Sequence, residues 1–204
     1  MTSQAADRPE PVGVTRRSKI TPEREQEFYD AVLEQLRECG YDSVTMEGIA
    51  ASTRCSKSTL YRQWKTKPQL VAAALRSHRR TRCIDTGSLA DDLREAARAA
   101  GELSGRDTKL LQALAHAAPQ DPELKTALRE ALVEPEIAAL KEIIRRGVER
   151  GEVPADHPAL EYIPAQMFGV LRIRPVLEGE DADPDPDYLV RFVEAAVLPA
   201  LGLT

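Results

Sequence analysis

The chain is expected to be all-α, and three observations carry that expectation. Aromatic residues make up only 4% of its 204 residues while Ala and Leu are plentiful, a balance that favours helices over strands. Apolar residues recur at three- and four-residue spacing, with no run of strand-like alternation. Pro and Gly fall between the periodic runs, and Ser or Thr stands just ahead of several of them, where helices are capped.

Thr21-Pro22 opens the first helix, Thr as N-cap and Pro at the first helical position. Glu23, Glu25 and Glu27 suit the positive end of its dipole. Phe28, Ala31, Val32 and Leu36 keep one apolar face, and Cys39-Gly40 ends the run, Gly40 as a left-handed cap. Residues 41–44 connect. Thr45 caps a second helix from Met46 to about Ser52, Thr53-Arg54-Cys55 turns, and Ser56 caps a third from Lys57 to about Gln63. Pro68 starts a fourth helix running to about Arg82, with Leu70, Ala73, Ala74 and Ser77 as its inner face.

Two short helices, a three-residue turn and a capping Ser outline a helix-turn-helix. The second helix of such a pair must be polar outside to lie in a major groove and apolar inside to stay on its bundle. Leu60 is the inward anchor; Ser56, Lys57, Ser58, Thr59, Tyr61 and Arg62 are available for the outside.

Beyond residue 83 the pattern stays helical with proline punctuation. Helices are expected from Ser88 or Leu89 to about Ser104, Arg106 to about Ala117, Pro122 to about Arg150, Pro158 to about Leu177 and Asp187 to about Leu201. Leu124, Leu128, Leu132, Leu140, Ile144 and Val148 form a stripe along the long one, and Pro135 inside it should kink or break it. Residues 178–187 carry six acids and read as a solvated loop; they lack the Gly turn and closing Glu of a calcium site.

Charge divides the chain. Between Ser43 and Arg82 stand nine Lys and Arg (Arg54, Lys57, Arg62, Lys65, Lys67, Arg76, Arg79, Arg80, Arg82) against one acid, Glu47. Residues 1–82 have net charge +5 and residues 83–204 have −10, giving −5 overall. A polyanion is the natural partner of the first part, and the acidic remainder should avoid phosphate. Residues 1–20 read as a disordered arm; its Arg16, Arg17 and Lys19 either solubilise or reach a DNA groove.

No apolar run approaches the roughly 20 residues that span a bilayer, and the N-terminus lacks the apolar segment of a signal peptide. Cys39, Cys55 and Cys83 have no metal-ligand spacing and an odd count, as in a reducing cytoplasm. Cys39 and Cys55 read as small, semi-buried filler, with a redox sensor as the alternative. His78, His116 and His157 are isolated, and no nucleophile elbow, phosphate loop or Cys-x-x-Cys is present. An enzyme is therefore not expected, nor a metal or cofactor.

The segment Ile49-Ala50-Ala51 followed by Ser56 to Leu70 (SKSTLYRQWKTKPQL), with Gly40-Tyr41 ahead of Thr45, resembles the DNA-binding signature of the TetR family of bacterial transcriptional regulators. The match covers about residues 21–82, and its features agree in order and spacing. Arg145 to Val153 (RRGVERGEV) resembles a helix-to-loop junction of the same family. One departure stands out: the family turn usually reads Ala-Gly-Val, and here it is Thr53-Arg54-Cys55, which removes the residue that most readily adopts positive φ.

The resemblance implies a three-helix helix-turn-helix domain over residues 21–82 and a larger helical-bundle ligand-binding and dimerisation domain over 83–204. It implies a homodimeric DNA-binding regulator, a repressor released from a palindromic operator by a small apolar or amphipathic effector. The alternative is a helix-turn-helix adaptor acting through protein contacts. Lys57, Ser58 and Thr59 lie where side chains reach base edges, Lys57 on guanine or on phosphate. Thr45, Tyr61 and Lys67 resemble the family's backbone contacts, with Arg54, Ser56, Arg62 and Lys65 beside them. Trp64 is expected to pack under the motif, and Arg76, Arg79, Arg80 and Arg82 to lie on a solvated face. Leu110, Leu114, His116 and Phe168 are candidate walls of the effector pocket. Tyr162, Met167, Leu171, Leu189, Phe192, Val193 and Val197 are candidates for the dimer interface, on apolar stripes that would otherwise be core.

Overall fold

A computed structural model describes residues 20–79, 83–106, 108–179 and 185–203, excluding the side chains of 103–106, 108, 109, 171, 172, 175 and 176. The basic arm with Arg16, Arg17 and Lys19, the cations Arg80 and Arg82, residues 180–184 of the acidic loop and the Leu171 side chain lie outside the described residues. Among those described, every regular element is helical: α1 Pro22–Ser43, α2 Met46–Ser52, α3 Lys57–Gln63, α4 Lys67–His78, α5 Leu89–Arg106, α6 Thr108–Ala117, α7 Pro122–Leu128, α8 Glu134–Glu149, α9 Ile163–Glu178, α10 Pro186–Phe192 and α11 Leu198–Ala200. No helix among them is long and apolar enough to cross a membrane.

The caps sit largely where the sequence places them. Thr21, Thr45 and Ser56 each accept a backbone N–H in the first turn of α1, α2 and α3. Gly40, at φ 74°, interrupts α1 and leaves one further turn before α2. Helix α4 starts one residue earlier than its proline suggests: Thr66 is the N-cap, accepting from the Gln69 N–H, and Pro68 takes the second helical position. Ser77, expected on the inner face of α4, is exposed. Cys39 is exposed rather than semi-buried, whereas Cys55 packs half-buried against the core.

The helical run passes Pro135 without a break in hydrogen bonding, but not as one plain α-helix. A single π-turn, Arg129–Val133, joins α7 to α8, and the Glu134 N–H reaches back five residues to the Arg129 carbonyl. The wider turn gives the pyrrolidine ring room where it would otherwise strike the carbonyl four residues earlier. The same device precedes Pro199: a π-turn at Val193–Val197 joins α10 to α11, with the Leu198 N–H on the Val193 carbonyl.

Two apolar cores result. The first collects Phe28, Val32, Leu33 and Leu36 of α1, Ile49 of α2, Leu60 of α3 and most of α4, and it continues into Leu110 and Leu114 of α6 and Leu124 of α7. Helix α4 is thus enclosed nearly all round, with Leu70, Val71, Ala74 and Leu75 all buried. The second core joins α5 and α8 to α9, α10 and α11 through Leu89, Leu93, Leu140, Ile143, Ile163, Met167, Leu189, Val193 and Val197. The run from α7 through the π-turn to α8 contributes to both.

The junction at Arg145–Val153 anchors the far end of that run. A Cβ on Gly147 would lie 2.7 Å from Leu89 Cδ2, so glycine is what lets α8 meet the start of α5. Beside it Asp92, fully buried, accepts from the Thr86 N–H at 2.6 Å and faces Arg146 and Arg150 at 3.8 and 3.5 Å.

Candidate nucleic-acid interface

Helix α3 is only seven residues long, too short to stand alone in water. Its tertiary anchor is Leu60, with 0% of its surface exposed. Behind it Trp64 is buried and meets Phe28 and Tyr29 edge-on, both at 5.6 Å between centroids. Three ties fix the motif on α1: Gln63 Nε2 donates to Glu25 at 2.8 Å, Arg24 donates to the Thr53 carbonyl, and Gln35 Nε2 donates to Ser52 Oγ at 3.4 Å.

The turn between α2 and α3 closes as a paired cap. Arg54 N–H donates to the Ala51 carbonyl at 3.2 Å and Cys55 N–H to the Ala50 carbonyl at 2.8 Å. That pairing is the Schellman arrangement, which places its next-to-last residue in the left-handed region. Arg54 occupies that place at φ 51°, the sole non-glycine residue with positive φ among the described residues. The cap therefore keeps its geometry without glycine. Cys55 supplies its apolar contact against the core.

With the anchor inside, the polar side chains of α3 face outward. Lys57, Ser58 and Arg62 are exposed, as are Thr45, Arg54, Ser56 and Lys65, and Tyr61 is 44% exposed. Thr59 is half-buried, its hydroxyl 2.8 Å from Ser56 Oγ; Ser58 Oγ is 3.0 Å from the same atom. The three hydroxyls form one cluster at the helix start, with Ser56 also capping the Thr59 N–H at 3.2 Å. Lys57 Nζ lies 3.1 Å from Glu47 of α2. That contact, ahead of a backbone hydrogen bond, holds the Glu47 carboxyl below the usual carboxylate range. Thr45 Oγ1 accepts the Gly48 N–H at 3.0 Å and keeps its own proton free to donate.

Lys67 is placed differently from the rest. It is half-buried at the start of α4, donating to the Tyr41 carbonyl at 3.1 Å, with Nζ 3.9 Å from the centre of the Tyr41 ring. The partner of this lysine escaped sequence reasoning because it lies 26 residues away. Arg79 is likewise no free surface cation: it donates to the Leu132 carbonyl at 3.0 Å and pairs with Glu136 at 3.5 Å.

The candidate effector-pocket residues are not brought together. Leu110 and Leu114 are buried in the first core, Phe168 packs half-buried on the second, and His116 is exposed on α6. Only Leu110 of the four lines the small cavity of about 40 Å³ between α1, α4, α6 and the π-turn, with Leu33, Leu75, His78, Arg79, Leu111 and Leu132. The candidate interface residues also divide. Met167, Leu189, Val193 and Val197 are buried in the chain's own second core, Phe192 is half-buried, and Tyr162 is exposed. Among the described residues, the large apolar side chains that face outward in this region are Tyr162, Ile173 and Leu177, the last 75% exposed. Periodicity marks apolar stripes but does not say which of two stripes the rest of the fold covers.

Known proteins match both parts of the chain. Residues 28–74 match the family described as bacterial regulatory proteins, tetR family, and residues 83–196 match the tetracyclin repressor-like C-terminal domain. An uncharacterised helix-turn-helix-type transcriptional regulator of Mycobacterium tuberculosis is 31% identical over 201 residues, covering 98% of this chain and 95% of that protein. A DNA-binding transcriptional repressor, TetR, of Mycobacteroides abscessus is 34% identical over 134 residues, 61% of this chain and 67% of that one. Among solved structures, the flavonoid-responsive regulator FrrA superposes with a TM-score of 0.67 at 20% identity, over 89% of this chain and 97% of that one. The exposed polar face of α3, on a motif pinned to an all-helical body, thus sits in a chain that belongs to the TetR family of DNA-binding transcriptional regulators.

Proposed function

We propose that this regulator is a repressor that binds a palindromic operator as a homodimer in the cytoplasm, residues 21–82 gripping DNA and 83–204 dimerising and taking an effector. The observation that carries the DNA half is the outward array on α3, with Leu60 fully buried beneath it. Lys57, Ser58 and Thr59 read base edges in the major groove; Thr45, Arg54, Tyr61, Arg62, Lys65 and Lys67 hold phosphate, and Ser56 caps the reading helix.

A seven-residue helix contacts only a few base pairs, so useful specificity calls for two copies about 34–36 Å apart along the duplex. The uncovered apolar side chains of Tyr162, just ahead of α9, and of Ile173 and Leu177 on it support a second copy at this helix. The repressor named in Mycobacteroides abscessus supports the sign of regulation. The flavonoid-responsive relative in fold supports an apolar or amphipathic effector, which would release DNA by favouring a different spacing of the two α3 helices. A full switch of that kind needs about 5.5 kcal/mol of differential affinity.

Binding assays on a randomised duplex pool test the reading. Tyr61→Phe should weaken binding to every sequence. Ser58→Ala or Thr59→Ala should relax preference at single base positions, by about 1–3 kcal/mol of discrimination. Equal losses on all sequences for Ser58 and Thr59 would remove their readout role, and indifference of operator affinity to a panel of flavonoid-like and acyl compounds would remove the induction half.

A further inference from the structure

The start of α7 belongs to the acidic part of the chain, yet it grips the start of α4. Tyr41 Oη donates to Asp121 Oδ2 at 2.8 Å across 80 residues of sequence. Asp121 is itself fixed: it is the N-cap of α7 and accepts the Leu124 N–H at 2.9 Å. The Tyr41 carbonyl and ring in turn hold the Lys67 ammonium, at 3.1 and 3.9 Å. One residue earlier, Thr66 Oγ1 donates to Glu123 at 2.6 Å, so the N-cap of α4 is fastened to the first turn of α7.

We infer that Asp121 is a positioning residue for the DNA contact of Lys67, acting through Tyr41, with Glu123 holding the same turn of α4 through Thr66. The inference rests on the reading of Lys67 as a phosphate contact.

The chemistry supports a positioning role over simple adhesion. A lysine ammonium has three donors on a flexible stem, and ordering that stem at the moment of binding costs affinity. Here one donor is committed to the Tyr41 carbonyl and the charge rests over the ring, which leaves donors for phosphate and removes much of the stem's freedom. The Tyr41 ring packs in the first core, and Asp121 fixes its hydroxyl end. Leu124 N–H first, and the Tyr41 hydroxyl second, keep Asp121 below its ordinary carboxylate range, so it stays an acceptor at neutral pH. Burial first, and Asp121 second, push the Tyr41 hydroxyl up, so it stays a donor. Helix α7 runs on through the π-turn into α8, which packs in the second core and meets Leu89 at Gly147.

The test is a double-mutant cycle on the full chain, using a labelled duplex selected for tight binding from a random-sequence pool. Asp121→Ser still caps α7 but is too short to reach Tyr41; Tyr41→Phe removes only the hydroxyl. Each is measured alone and combined with Lys67→Ala, with helicity and melting temperature as fold controls. Lys67→Ala is expected to weaken binding and to flatten the dependence of log K on log salt by about one. Asp121→Ser and Tyr41→Phe should each weaken binding about three- to tenfold and move the salt slope toward that of Lys67→Ala. In the Lys67→Ala background both should cost nothing further. Equal losses with and without Lys67, or no loss at all, would overturn the positioning role. An unchanged affinity and slope in Lys67→Ala itself would overturn the phosphate contact beneath it, a separate and distinguishable outcome.

Discussion

Helices α3 and α9 use apolar residues in opposite ways. On α3 one large aliphatic side chain, Leu60, goes inward and the helix start is polar, with Lys57, Ser58 and Arg62 exposed. On α9 apolar side chains go both ways: Ile163 and Met167 enter the chain's own core, and Ile173 and Leu177 stay uncovered. The difference teaches when polarity locates a surface. A helix that meets phosphate and water must separate its faces by residue type. A helix whose apolar side chains both enter the core and stay uncovered, as those of α9 do, makes no such separation, and its two faces look alike in sequence.

Leu60→Ala should break the comparison on the α3 side. Removing the only large apolar anchor of a seven-residue helix should cost about 2–5 kcal/mol of stability, read by chemical denaturation, with DNA binding lost in step. The matching truncation Leu177→Ala should leave the stability of the isolated chain within about 0.5 kcal/mol, because that side chain touches little of its own fold.

The α9 side is broken by charge instead. Ile173 and Leu177 lie four residues apart on one face, so Ile173→Asp with Leu177→Asp should raise the dimer dissociation constant by more than about 30-fold, seen by sedimentation, at an unchanged melting temperature for the monomer. Unaltered dimerisation would place the interface elsewhere.

A smaller effect sharpens what is particular to the DNA side. The cap that ends α2 recurs at the end of α8, with Gly151 at φ 75°, and after α11, with Gly202 at φ 72°. In both, glycine takes the place that Arg54 holds at φ 51°. Arg54→Gly should therefore stabilise the fold by about 0.5–1 kcal/mol, the relief of left-handed strain less the entropy of the freer unfolded chain, measured as a rise in melting temperature. The same variant should weaken DNA binding if the arginine is kept in that strained place for phosphate.

Much of this molecule was legible in its residues. The capping hydroxyls of Thr21, Thr45 and Ser56, the Gly40 stop and the inward turn of Leu60 are local matters, decided within a few residues by hydrogen bonding and solvation. Tertiary packing decided the rest. The enclosure of α4, the burial of Leu110 and Leu114 in the first core and the self-covering of Leu189, Val193 and Val197 depend on which helix lies beside which. The tie from Asp121 through Tyr41 to Lys67 spans 80 residues of chain and leaves no periodic trace. Apolar spacing records that a face is covered; only the assembled fold supplies the cover, because burial is a property of neighbours in space.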